Sequence, residues 1–199
     1  MNKNFTKLTF TDSVKKVQEK YGSRKSYARM EEGGDQSILT DREILYIQSR
    51  DSFYMATVGE NGWPYVQFRG GPKGFLKIID NTTIGYADFR GNRQYISVGN
   101  INSSRKAALI LMDYPSQQRL KIWAESGVIY AEDDPGLLKD LEISEYNALV
   151  ERLIIFKVQA YDWNCPQHIT PRYTAEEISK EIANLNPDIL KSCCPDEVK

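Results

Sequence analysis

Hydrophobic and polar positions follow two different periods along this chain, and the change comes near Ser52. Before it, Val14, Val17 and Tyr21 share one helical stripe. Thr11 or Asp12 stands ready as a cap and Gly22 as a stop, which predicts a short amphipathic helix. Ser23 to Ser37 mixes charge with Gly33-Gly34 and reads as an irregular arm. Thr40-Asp41-Arg42-Glu43 has capping-box form, because a Thr hydroxyl and a Glu three residues on satisfy each other's backbone donors; it predicts a helix from Asp41 to about Ser49.

After Ser52 the period shortens to two. Phe53 to Val58 and Pro64 to Arg69 flank Asn61-Gly62, a hairpin signal that predicts a type I′ turn with positive φ at both central residues. Phe75 to Asp80 and Thr82 to Ala87 read as a second hairpin around Asn81. Ala107 to Tyr114 is apolar on both faces, as expected of a central strand covered on two sides or lying at a subunit interface. Arg119 to Ala131 sets Leu120, Ile122 and Ala124 against Arg119, Lys121 and Trp123, and Ile154, Phe156, Val158 and Ala160 repeat the alternation. Helices are expected at Asn92 to about Asn102, Pro135 to about Val150 with a break, and Ala175 to Ala183 after the capping-box pattern of Thr174 and Glu177. The predicted class is mainly β with accessory helices. Six to seven mostly consecutive antiparallel strands favour a barrel, which removes exposed edges.

At 199 residues the chain suits one domain, divided here into an N-terminal helix and arm (1–40), a barrel (41–163) and a C-terminal lid segment and helix (164–199). Lys plus Arg (26) almost cancels Asp plus Glu (27), so the global basic excess of a nucleic-acid binder is missing and local cationic clusters need a local explanation. No run approaches the ~20 apolar residues of a membrane-spanning helix, and Met1 to Thr6 lacks the apolar core of a signal peptide; a cytoplasmic, membrane-free protein is the expectation. Cys165, Cys193 and Cys194 are odd in number with two adjacent, which is no disulfide framework, and reduced thiols are expected.

Two segments pair cations with glycine: Arg69-Gly70-Gly71-Pro72-Lys73-Gly74-Phe75-Leu76-Lys77, and Asp88-Phe89-Arg90-Gly91-Asn92-Arg93-Gln94. Glycine lets backbone N–H groups approach a ligand, and arginine presents a planar fork of donors suited to phosphate. With Asn92 as the cap of the following helix, Lys73, Lys77, Arg90 and Arg93 would hold a phosphate from two sides. The competing reading is that these are solvated hairpin charges beside ordinary turn glycines. Neither segment is a Rossmann or P-loop pattern.

From about Asp41 to Glu132 the chain resembles the pyridoxamine 5′-phosphate oxidase-like FMN-binding split barrels. The likeness lies in Arg69 to Lys77, Tyr86 to Gln94, Ala107 to Tyr114 and Arg119 to Trp123. It is most similar to an uncharacterised branch that shares the tail Asp162-Trp163-Asn164-Cys165-Pro166-Gln167-His168-Ile169. The resemblance implies a homodimer of split barrels with FMN at the subunit interface. It implies that Leu76 and Lys77, with Lys73 and Phe75 beside them, hold the phosphate or ribityl chain, and that Tyr86-Ala87-Asp88 lies near the flavin. The family's Arg-Lys pair aligns with Arg93-Gln94, so the second cation is missing and Arg90 is the expected substitute. Arg119 and Trp123 correspond to a strand that the partner subunit brings towards the flavin. The oxidase's own substrate-binding pattern is absent from the C-terminal region, so oxidation of pyridoxamine phosphate is not implied.

The lone histidine, His168, follows Trp163, and a lid with Trp163 stacking and His168 donating a hydrogen bond or proton is one reading; a rigid turn between Pro166 and Pro171 is the other. A zinc set of Cys165, His168, Cys193 and Cys194 is disfavoured, since adjacent cysteines do not readily direct both sulfurs at one ion. The expected function is an FMN flavoprotein passing electrons between a reduced small-molecule donor, NAD(P)H or another, and a small acceptor. The alternative is a non-catalytic protein that stores or senses flavin or another cofactor such as haem.

Overall fold

The computed structural model describes residues 3–143 and 145–185. They divide into two units: the first holds residues up to Met112 and from Arg119 to Asn164, the second Asp113–Gln118 and the residues from Cys165 onward. The first unit opens with α1 (Phe5–Thr9), α2 (Asp12–Lys20), α3 (Arg24–Glu31) and α4 (Asp41–Gln48). The region predicted as an irregular arm thus contains a helix. Arg24 at its start bonds to Gln18 and Glu31, ion pairing that the polar composition of α3 concealed. Thr11 caps α2 as expected, yet the predicted apolar stripe of Val14, Val17 and Tyr21 faces outward, and Gln18 is the residue that α2 buries.

The capping box of Thr40 and Glu43 is present at the start of α4. Glu43 is buried, and besides Thr40 it accepts a hydrogen bond of 2.6 Å from the indole Nε1 of Trp163. Burial alone would raise its pKa, but the hydrogen bonds from Thr40 and Trp163 outweigh burial and hold it below the ordinary value of 4.5. A depressed folded-state pKa means stability that is present above the unfolded value and is lost as pH falls. Chemical denaturation as a function of pH should therefore show Glu43→Gln losing part of the wild-type decline below pH 4.5. An unchanged slope would show that the carboxylate contributes nothing there.

Seven strands form one sheet in the order β2-β1-β5-β6-β7-β4-β3. They are β1 (Ser52–Val58), β2 (Pro64–Gly70), β3 (Lys77–Asp80), β4 (Thr83–Phe89), β5 (Lys106–Asp113), β6 (Gln118–Tyr130) and β7 (Val150–Trp163), with α5 (Ile96–Ser104) before β5 and α6 (Pro135–Leu141) before β7. The antiparallel seven-stranded architecture with accessory helices matches the predicted fold class. Strands distant in the order meet through side chains: Arg69 on β2 pairs with Asp88 on β4 at 3.0 Å. The β1–β2 hairpin forms as expected, but its loop runs from Gly59 to Trp63 and only Gly62 has positive φ, at 82°, so it is not a type I′ turn. The helix expected from Pro135 to about Val150 ends at Leu141, and Val150 begins β7.

The main core lies on one face of the sheet. Phe53 stacks on Phe75 with ring centroids 5.6 Å apart and meets Tyr86 and Phe156 edge-on, with α4 contributing Tyr46 and Ile47. Gly71 is required here for packing: a Cβ on it would come within 2.8 Å of the Phe75 ring. A smaller cluster forms around Ala87, Leu141 and Leu153. β5 is an interior strand with one face buried, Ala107, Leu109 and Leu111, while Ile110 on the other is open within the protomer. In the second unit, α7 (Ala175–Leu185) begins with the predicted capping box, Thr174 N–H donating to Glu177 and Glu177 N–H to the Thr174 hydroxyl. Cys193 and Cys194 lie outside the described residues. Among the described residues no helix is long and apolar enough to cross a membrane.

Candidate functional site

A cavity of about 230 Å³ lies where β2, β4 and β7 meet the segment leading into α5. Period-two alternation on β2 sends Tyr65, Gln67 and Arg69 to this side, while Val66 and Phe68 go to the other. β4 supplies Asp88 and β7 supplies Glu151 and Arg152; Gly91 to Ser97 complete the wall. Three arginines, Arg69, Arg93 and Arg152, thus line the cavity together with two carboxylates, Asp88 and Glu151.

Asp88 is 5% exposed and sits between two cations, Arg69 at 3.0 Å and Arg152 at 3.8 Å. Burial raises its pKa even so, the two guanidiniums compensating only in part. Several buried polar atoms here find no aligned hydrogen-bond partner: Nε of Arg69, Nε of Arg152, the Tyr86 hydroxyl, and Asp88 Oδ1, which is close to Arg69 but off the hydrogen-bonding axis. Burial also raises the Tyr86 pKa far above its ordinary value of 10.0, so the phenol is neutral. Tyr86, Asp88, Arg69 and Phe75 border a second, smaller cavity of about 180 Å³.

α5 starts without a side-chain cap. Its N-cap is Tyr95 at φ 55°, not Asn92, whose Oδ1 instead accepts from the Gln94 N–H at 3.2 Å in a turn ahead of the helix. Arg93 is also left-handed, at φ 64°. Such a backbone costs a non-glycine residue roughly 1–2 kcal/mol and is a feature of ligand-holding segments. Ile96, Ser97 and Val98, the first residues of this uncapped helix, line the cavity, where the helix dipole favours an anion.

The sequence-predicted residues fall into separate places. Arg69, Asp88, Asn92, Arg93 and Gln94 line the larger cavity. Arg90 is beside it, its Nε held by Glu151 at 2.9 Å. Tyr86 is in the core, and Ala87 points to the opposite side of β4 into the smaller cluster. Phe75 and Leu76 are core residues, Lys73 is exposed in the preceding loop, and Lys77 is half-buried at the start of β3. Trp123 stacks on Phe5 of α1 at 5.9 Å, so the N-terminal helix packs against the ring whose strand the resemblance assigned to the partner's flavin. Arg119 is half-buried on β6 with its Nε unpartnered. Trp163 is at the opposite end of β7 from Arg152, engaged by Glu43, by the Arg42 guanidinium at 4.2 Å and by Tyr46 edge-on. His168 belongs to the second unit, exposed and at φ 65°. Among the described residues no group of three or more His, Cys, Asp or Glu is arranged to hold a metal ion.

Glu151, Arg152, Gln67 and Tyr95 were missed by the sequence reading. Arg152 did carry a signal: it is in phase with Ile154, Phe156 and Val158, so the alternation places a charge on the buried side of β7, directly across from Asp88.

A family model described as pyridoxamine 5′-phosphate oxidase matches residues 40–160. No curated protein matches the sequence. Among solved structures, the chain is similar to an FMN-binding protein from Syntrophomonas wolfei, at 17% identity over 73% of this chain and 96% of that one, with a TM-score of 0.47. A Clostridium acetobutylicum protein related to general stress protein 26 of the pyridoxinephosphate oxidase family matches at 14% identity, 67% and 92% coverage and a TM-score of 0.44. HupZ of Group A Streptococcus matches at 13% identity, 68% and 100% coverage and a TM-score of 0.47.

Proposed function

Since the chain belongs to the pyridoxamine 5′-phosphate oxidase family, we propose that it is an FMN-binding flavoprotein, acting as an oxidoreductase between NAD(P)H or another reduced donor and a small acceptor. One observation carries the reading: Arg69, Arg93 and Arg152 line one cavity together with the uncapped start of α5, and two of them bring buried Nε donors that lack acceptors. Such a donor set fits a phosphate monoester, which offers several acceptor oxygens and negative charge. Arg93 and the first amides of α5 would hold the phosphate, Arg69 and Arg152 would supply charge from beneath, and Asp88 would keep the two buried cations from repelling each other.

When bound, FMN supplies the electron-transfer chemistry. The protein's share is to bind, orient and exclude water. The neutral Tyr86 phenol offers a proton on its hydroxyl oxygen beside the smaller cavity, which Arg69 and Asp88 also border.

A homodimer is part of the proposal. On the face of the sheet away from the core, register sets Phe68, Tyr54 and Ile110 in one row and Val66, Ala56 and Ala108 in the next. Val66 is 62% and Phe68 57% exposed, an apolar surface across three strands that suits a second copy of the chain. Light scattering should report a dimer, and Phe68→Glu should shift it towards monomer; a wild-type monomer would overturn this part.

The visible spectrum of the purified protein, alone and after addition of FMN, tests cofactor binding directly; no flavin bands in either case would sink the proposal. Arg93→Ala should weaken FMN binding by about 1.5–3 kcal/mol, the scale of a charge-assisted hydrogen bond, read by fluorescence titration. With FMN bound, anaerobic NADH or NADPH should bleach it; failure with both would favour storage or sensing.

A further inference from the structure

We propose that anion binding in the larger cavity is coupled to a proton: when a dianion enters, Asp88 takes up one proton from solvent, and the ligand's charge replaces that of the carboxylate. This coupling rests on the reading of the cavity as an anion site and adds to it a built-in dependence on pH.

Asp88 owes its charge to two cations. Its Oδ1 is 3.0 Å from Arg69 Nη1 and its Oδ2 3.8 Å from Arg152 Nη1, so each oxygen answers to one guanidinium. Oδ1 is buried without an aligned donor, and 3.8 Å is beyond hydrogen-bonding distance. With the residue 5% exposed, water does little to hold the charge. Glu151, the other carboxylate of the cavity, is held differently. It accepts from Arg90 Nε at 2.9 Å, pairs with Arg152 and takes the Tyr95 hydroxyl at 3.4 Å, and these contacts, the Arg90 bond above all, keep its pKa below the ordinary value. Hydrogen bonds thus fix Glu151 as a carboxylate. Burial raises the pKa of Asp88, which leaves its charge free to change.

The charged and titratable groups around Asp88 are Arg69 on β2, Arg152 and Glu151 on β7, Arg93 and Tyr95 ahead of α5, and, on β4 and just beyond its end, the neutral Tyr86 and Arg90. A dianion in this cavity draws on Arg69 and Arg152, whose Nε atoms are buried and lack acceptors. It offsets the two charges that keep Asp88 ionised and adds a like charge beside it. Both effects act with burial to favour the neutral acid. Linkage is reciprocal: the factor by which the anion raises proton affinity at Asp88 is the factor by which that proton raises anion affinity. No bond in the anion forms or breaks, and the one transfer is a proton from water to an Asp88 oxygen.

Sulfate is the probe, because it stays a dianion where a phosphate monoester itself titrates, at about pH 6. Calorimetry at about pH 6 in MES and in bis-Tris, whose heats of ionisation differ, should show proton uptake on sulfate binding by the wild type and none by Asp88→Asn. Wild-type affinity should rise at least about fivefold from about pH 8 to about pH 5, while Asp88→Asn stays flat. Carboxyl ¹³C NMR of the aspartate-labelled wild type needs no variant: one resonance should move to the protonated position on saturation with sulfate. Sulfate binding without proton uptake, uptake that persists in Asp88→Asn, or no such resonance would overturn the coupling. Flavin bands together with sulfate binding that is not proton-linked would leave the flavin reading standing and remove this one. Proton-linked sulfate binding in a protein that takes up no flavin would do the reverse, and a protein that binds neither would refute both.

Discussion

Asp88→Ala is expected to destabilise the protein by about 3–5 kcal/mol in chemical denaturation, the range seen when one partner of a buried ion pair is removed. The cost does not come from losing a favourable attraction. Burial already raises the Asp88 pKa in spite of two neighbouring guanidiniums, so its ionised form is held at some expense. It comes from what is left behind: Arg69, with its side chain 17% exposed, would lose the carboxylate it pairs with, and Arg152, 6% exposed, would keep only Glu151. Asp88→Asn keeps the volume and one acceptor oxygen and should lose less. Both variants remove a negative charge from the cavity, so both should bind inorganic phosphate more tightly than wild type by isothermal calorimetry. Reduced stability together with unchanged or weaker phosphate binding would show that Asp88 does not face the anion site.

Phe53→Ala should cost a comparable amount, about 3–5 kcal/mol, for a different reason. Phe53 is 1% exposed and joins three aromatic neighbours, stacking on Phe75 and meeting Tyr86 and Phe156 edge-on. Truncation removes its transfer free energy and leaves a cavity that the rigid rings around it cannot fill. Because Phe75 and Tyr86 border the smaller cavity next to Asp88, the variant should also loosen the base of the proposed site. Denaturation midpoints measure the first effect and FMN affinity the second. A loss below about 1 kcal/mol would mean that the cluster repacks, contrary to the close packing of protein interiors.

The legible parts of the fold were those written in short-range patterns. Alternation located β6 and β7, and the buried side formed by Leu120, Ile122 and Ala124 came out as read. The capping boxes of Thr40 and Thr174 were visible because a cap involves residues three apart. Misreadings arose where a local signal has two outcomes. Asn92 has a side chain equally suited to a helix cap and to a turn, and here the turn wins, with α5 starting at Ile96. Asn61-Gly62 marked the hairpin but not its turn type, since five loop residues accommodate the reversal with positive φ at Gly62 alone.

By itself, then, the sequence determined the strands, most of the helices, and a local enrichment of arginine and glycine. It could not determine which of those arginines share a cavity. Arg69 and Arg93 come together because the sheet brings β2 within reach of β4, whereas Lys73 and Lys77, in the same glycine-flanked segment as Arg69, do not line that cavity. Arg152 enters because β7 pairs with β4 in a register that sets it opposite Asp88, and Trp123 and Trp163 leave because α1 and α4 occupy their rings. Each of these outcomes depends on a contact between residues far apart in the chain. Local periodicity says which face a side chain takes but not what meets that face; the order of strands and the packing of helices supply the rest.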